Sequence, residues 1–97
     1  MKLGFHPEAE QEFLEAVLRY EAKVPGLGER FHAEVHAAST ALLQYPEIGS
    51  PVEADLRKLV LERFPYSLIY SYTPETIYVL AVAHDRRPPG YWQERER

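Results

Sequence analysis

Three apolar runs separated by proline occupy Arg57 to His84, and this stretch leaves the chain few folds to choose from. The first is Arg57-Lys58-Leu59-Val60-Leu61-Glu62-Arg63-Phe64. Pro65 divides it from Tyr66-Ser67-Leu68-Ile69-Tyr70-Ser71-Tyr72. A Thr73-Pro74-Glu75-Thr76 break precedes Ile77-Tyr78-Val79-Leu80-Ala81-Val82-Ala83-His84. Runs rich in Val, Ile, Leu and Tyr and bounded by breakers are strands, and short breaks between them make an antiparallel meander. Strict alternation puts Tyr66, Leu68, Tyr70 and Tyr72 on one face of the middle strand. In the last strand it groups Tyr78, Leu80, Val82 and His84 against Ile77, Val79, Ala81 and Ala83. Both of those faces are apolar, so this strand is central and covered on both sides.

Everything upstream reads as helix laid over the sheet. Lys2-Leu3-Gly4-Phe5 alternates as a short strand. His6-Pro7 then starts a helix, because proline at the first helical position gives up a donor that would have no partner there. Glu8, Glu10 and Glu12 favour the positive end of the helix dipole and read as a solvated face. Ala9, Phe13, Ala16, Val17 and Tyr20 form its apolar stripe, widened by Leu14 and Leu18. Val24-Pro25-Gly26 ends it. A second helix runs from about Gly28 to Gln44, with Leu27, Phe31, Val35, Ala38, Leu42 and Tyr45 as its stripe, and the two form a helical hairpin. His32 and His36 share a face at a spacing that permits a metal pair, but no third ligand follows, so no metal site is expected. Tyr45 to Pro51 reads as a turn-rich connection.

The expected architecture is therefore α+β: an N-terminal strand, a helical hairpin and a three-stranded antiparallel meander, with the helices packed on one sheet face. The 97 residues form one domain. The tail or a partner chain must cover part of the other face. Cysteine is absent, which excludes a disulfide framework and thiolate metal sites. No apolar run reaches the ~18 residues of a membrane helix, and no secretory h-region follows Met1-Lys2, so a soluble cytoplasmic protein without a membrane partner is expected. The net charge is −4. Residues 1–53 carry 4 basic and 9 acidic side chains, and residues 54–97 carry 7 and 6. A protein that grips nucleic acid through phosphates shows a basic excess, so strong independent nucleic-acid binding is disfavoured.

The order strand, helical hairpin, meander comes with particular sequences: Pro7-Glu8-Ala9-Glu10, Pro25-Gly26-Leu27-Gly28-Glu29-Arg30-Phe31, Arg63-Phe64-Pro65-Tyr66, Tyr70, and His84-Asp85-Arg86-Arg87-Pro88 before Tyr91-Trp92. Together they resemble the RelE/ParE toxin superfamily over nearly the whole chain, and most of all its plasmid-stabilisation members. The resemblance implies a growth-inhibiting toxin of a type II toxin–antitoxin system, without cofactor, whose cognate antitoxin lays a helix or extended segment along it. RelE-like members cut messenger RNA on the ribosome. ParE-like members share the fold, lack the nuclease residues and poison DNA gyrase.

Cleavage of RNA by its own 2′-hydroxyl needs a base, an acid and cations on the phosphate. The candidates are Arg63, where the resemblance puts a phosphate-contacting arginine, with His84, Arg86, Arg87 and Tyr91. Histidine serves as acid or base near neutral pH, and arginine holds phosphate as a planar fork. Arg57, Lys58, Tyr66, Tyr70, Tyr72 and Trp92 are candidate binding residues, since tyrosine offers large amphipathic contact area at interfaces. The tyrosines can equally pack under the helices, and Tyr91 and Trp92 against the sheet. The sparse lysine and overall acidity lean towards gyrase. A degenerate toxin that only binds its antitoxin is the third possibility.

Overall fold

The computed structural model describes residues 1–96. Its elements are β1 (Lys2–Phe5), α1 (Pro7–Lys23), α2 (Leu27–Gln44), a 3-10 turn (Pro46–Ile48), β2 (Ser50–Glu53), β3 (Leu56–Val60), β4 (Tyr66–Tyr72) and β5 (Thr76–His84). One five-stranded sheet has the order β1-β5-β4-β3-β2. β1 lies parallel to β5 and the other pairs are antiparallel. This is the α+β architecture expected from the sequence, with β2 added. The connection before the meander, read as turn alone, ends in this edge strand.

The helix boundaries follow from local chemistry. His6 caps α1: its Nδ1 accepts the Glu8 amide at 3.0 Å, and Pro7 takes the first helical position. Gly26, at φ 89°, supplies the left-handed turn into α2. The Glu21 carboxylate reaches across from α1 to accept the Gly26 and Gly28 amides, satisfying donors at the start of α2. A Cβ on Gly28 would lie 2.5 Å from the Val17 carbonyl oxygen, so the hairpin crosses where a side chain is absent.

The helices cover one sheet face. Ala9, Ala16, Phe31, Val35 and Leu42 pack there against Tyr66, Leu68, Tyr70, Ile77, Val79 and Val82. Phe31 is the hub, with ring centroids 4.9–6.0 Å from Phe13, Tyr20, Phe64 and Tyr66. Leu14 and Leu18, expected to widen the α1 stripe, are instead 56% and 64% exposed. The stripe is narrower: Ala9 and Ala16 are fully buried, and Phe13, Val17 and Tyr20 pack against the same core.

The opposite face buries Leu56, Ile69, Leu80, Ala81 and Ala83 under Trp92, with Tyr78 and Tyr91 at the margin. The C-terminal tail thus covers part of the face left open by the helices. β5 does not keep strict alternation. Ile69 pairs with Ala81 and the next residue, Tyr70, with Val79, so Leu80 is an extra residue. This bulge resets the phase. Val79 and Val82 face the helices, while Leu80 and Ala81 both face the tail. The grouping of Leu80 with Val82 expected from the sequence fails for this reason.

Candidate functional site

The tyrosine-rich strand β4 is a core strand. Tyr66 is 3% exposed and Tyr70 fully buried, which removes both rings from the contact surface of this conformation. The Tyr70 hydroxyl donates to the Pro46 carbonyl at 2.6 Å and accepts the Gly49 amide at 2.9 Å. Burial raises its pKa, so it stays a neutral phenol. The Tyr66 hydroxyl accepts from Arg19 at 2.7 Å. Arg57 has a similar supporting role, donating to the Glu47 and Gly49 carbonyls at 3.0 and 2.7 Å. Tyr72, 38% exposed at the strand end, has the Arg57 guanidinium 6.0 Å from its ring.

Two hollows remain. The larger, about 900 Å³, lies on the helix side between α2 and the segment after β3. Its floor includes Ala33, Ala37 and Ala41, one turn apart along α2, and its far wall includes Leu59, Val60 and Phe64. Val60 and Ile48 are 60% and 46% exposed there. Arg30, Glu34, Glu62 and Arg63 supply its charges. Arg63 is exposed and lies beyond β3, which ends at Val60. Its backbone amide donates to Glu34 Oε2 at 2.9 Å, tying this segment to α2.

The smaller hollow, about 440 Å³, lies on the opposite face, walled by the tail. Lys58, His84, Arg87, Tyr91 and Trp92 line it, with Glu53 and Asp85. His84 is half-buried, its ring edge-on to Tyr66 at 4.9 Å. Its Nδ1 accepts the Arg86 amide at 3.0 Å. In the neutral ring the proton therefore sits on Nε2. Arg87 stacks on the Tyr91 ring, its guanidinium 3.9 Å from the centroid. Trp92 Nε1 and Ser67 Oγ are enclosed beside this cleft without a hydrogen-bond partner among the described residues.

The five candidate catalytic residues do not all line one hollow. His84, Arg87 and Tyr91 share the tail cleft. Arg86, exposed, flanks it. Arg63 belongs to the groove beside α2. Tyr91 is also committed elsewhere: its hydroxyl donates to Glu12 Oε2 at 2.6 Å. Burial, and then the Glu12 carboxylate, push its pKa well above the usual phenol value, which rules out a phenolate base near neutral pH. Among the described residues no group of three potential metal ligands occurs, and His32 stacks on Phe13 at 5.3 Å.

Glu12, read from the sequence as part of a solvated face, is instead a part-buried hub of hydrogen bonds beside the tail. It accepts from the Val82 amide (3.0 Å), the Tyr91 hydroxyl (2.6 Å) and Arg95 (2.9 and 2.8 Å). Burial alone would raise its pKa. The hydrogen bonds from Arg95, Tyr91 and Val82 outweigh that and hold it below the usual carboxylate value. A signal was present: Glu12 stands three residues after Ala9 and four before Ala16, on the stripe that both bury.

A family model described as the ParE toxin of the type II toxin–antitoxin system parDE matches residues 3–89. The fold is similar to a solved structure of the chromosomal ParDE TA system from P. aeruginosa. The TM-score is 0.76 at 22% identity, over 87% of this chain and 95% of that one. No curated protein matches the sequence. No helix among the described residues is long and apolar enough to cross a membrane.

Proposed function

The chain belongs to the ParE toxin family of type II toxin–antitoxin systems, and we propose that it arrests growth by binding DNA gyrase in the cytoplasm without covalent chemistry. The observation that carries this reading is the tie of the Tyr91 hydroxyl to Glu12, which takes one of the five candidate catalytic groups out of any acid–base step. A ribonuclease needs its acid, base and phosphate cations within hydrogen-bond reach of one scissile group. The Tyr91 hydroxyl, tied to Glu12, supplies neither base nor labile acid. What the tail face does offer is a compact set of exposed cations, Lys58, Arg86 and Arg87, around a shallow cleft, which suits contact with a macromolecule.

The experiment is a supercoiling assay with purified gyrase, run beside primer extension on messages from induced cells. Inhibition at micromolar protein with uncut messages is expected. Cuts within codons and an unaffected gyrase would establish the RelE-like alternative. The double variant Arg63→Ala, His84→Ala separates the two by magnitude. A binding surface loses no more than about tenfold in potency, whereas loss of general acid–base catalysis alone removes roughly 10²–10⁴-fold.

The groove beside α2 suits the antitoxin. Its alanine floor lets a backbone approach closely, its wall is apolar, and its rim carries both signs of charge, as an amphipathic helix requires. Ala37→Glu puts a carboxylate on that floor at an exposed helix position where the fold tolerates it. Affinity for the cognate antitoxin, measured by calorimetry, is expected to fall by about tenfold or more, with Tm little changed.

A further inference from the structure

We propose that Glu12 is a positioning residue, which latches the C-terminal segment onto the uncovered stretch of β5 and thereby aims Arg87. The proposal rests on the reading of the tail face as the target-contact surface. It starts from an incomplete sheet edge. The β1 register ends at Phe5 opposite Val79, where the His6 amide adds one last bond to the Val79 carbonyl at 2.8 Å. Leu80 to His84 run on past β1, and an open edge leaves backbone groups that must find partners.

Two side chains stand in for the missing strand. Glu12 Oε1 accepts the Val82 amide, and Arg95 Nη1 donates to the Leu80 carbonyl at 3.0 Å. The same two side chains join each other through both guanidinium nitrogens, the strong fork geometry of arginine and carboxylate. They are 14% and 9% exposed. Glu8, 65% exposed and 3.9 Å from Arg95 Nε, is the other carboxylate in reach. Tyr91 completes the latch. Its hydroxyl is fixed by Glu12, and its ring lies between Arg95 at 5.0 Å and Arg87 at 3.9 Å. The Glu12 charge thus determines where the ring stands, and the ring determines where Arg87 stands.

Neutralising Glu12 removes the counter-charge of Arg95 and weakens the hold on Tyr91 together. An unpaired guanidinium does not stay buried. The described residues after β5 form no helix or strand, so this segment can swing into solvent while the helix-side core stays intact. The expected loss is therefore local, unlike that of a core substitution.

Hydrogen exchange on full-length Glu12→Gln and Tyr91→Phe, read beside growth arrest and gyrase inhibition, tests the proposal. In Glu12→Gln, protection of residues 85–96 and of the Val82 amide is expected to fall about tenfold or more, with β3 and β4 unchanged. Growth arrest weakens, and the gyrase concentration–response shifts about tenfold, while antitoxin affinity stays within about twofold. Tyr91→Phe keeps a ring beneath Arg87 but cuts its link to Glu12, and shifts inhibition in the same direction with less loss of exchange protection. Unchanged tail protection in Glu12→Gln overturns the latch. A loosened tail with full growth arrest overturns the positioning role. Wild-type protein that arrests growth but spares gyrase refutes the target assignment instead, and exchange and arrest then decide the latch.

Discussion

Phe31→Ala is expected to lower Tm by roughly 12 °C or more, through a loss of about 3–5 kcal/mol, in thermal unfolding followed by circular dichroism. Phe31 has no exposed surface, and four aromatic rings close around it, two from α1, one from β4 and one from the segment after β3. None of these neighbours can collapse into the space alone, since each is held by its own element. The cavity term therefore adds in full to the transfer term. The wall of the groove beside α2 includes Phe64, one of those four rings, so the variant is also expected to bind antitoxin less tightly. A loss below about 1 kcal/mol in chemical denaturation would mean that the aromatic cluster repacks.

Tyr70→Phe is the second large effect and isolates a single oxygen atom. The substitution keeps the ring in place and removes only the hydroxyl. It leaves the Gly49 amide and the Pro46 carbonyl without the partner that both share. Stranded buried groups cost about 1–3 kcal/mol each, so a loss of about 2–3 kcal/mol is expected in urea unfolding. Gly49 is fitted to this hydroxyl in the native chain, since a Cβ there would lie 2.7 Å from its oxygen. The turn between α2 and β2 is built around Tyr70. A Tyr70→Phe protein of wild-type stability would show that water replaces the hydroxyl.

The parts of this fold written in local signals were legible. His6-Pro7 started α1 and Pro25-Gly26 separated the helices where sequence reasoning put them, because both act through backbone geometry over a few residues. β2 carried no such signal. Its four residues are all exposed, it contains Pro51, and its hairpin turns at Ala54, at φ 44°, instead of at a glycine or asparagine. The Leu80 bulge was hidden for a different reason. Every residue from Ile77 to Ala83 is apolar or aromatic, so alternation has no polar mark from which a phase error could be seen.

The candidate site was less legible than the fold, since its links are long-range. Glu12 meets Tyr91 and Arg95, 79 and 83 residues away. Nothing in a run of glutamates at a helix start announces such partners, although the stripe position of Glu12 hints at burial. Tyr66 and Tyr70 looked like interface residues because tyrosine suits both interfaces and cores. Their hydroxyls found partners inside the fold, which settled the matter. In the sequence Arg63 ends the first run of the meander and His84 the last. The chain leaves β3 at Val60, and the Arg63 amide is tied to Glu34 of α2.

The row of alanines along α2 bears on how a cell could keep several such gene pairs. Methyl groups offer shape but no polarity, so Ala33, Ala37 and Ala41 would accept the helix of a foreign antitoxin almost as readily as the right one. With the antitoxin seated as proposed, insulation between paralogous pairs would fall to the border charges, Arg30, Glu34, Glu62 and Arg63. Exchanging the signs of a few of them, matched by changes in the antitoxin, is the shortest evolutionary path to a new exclusive couple.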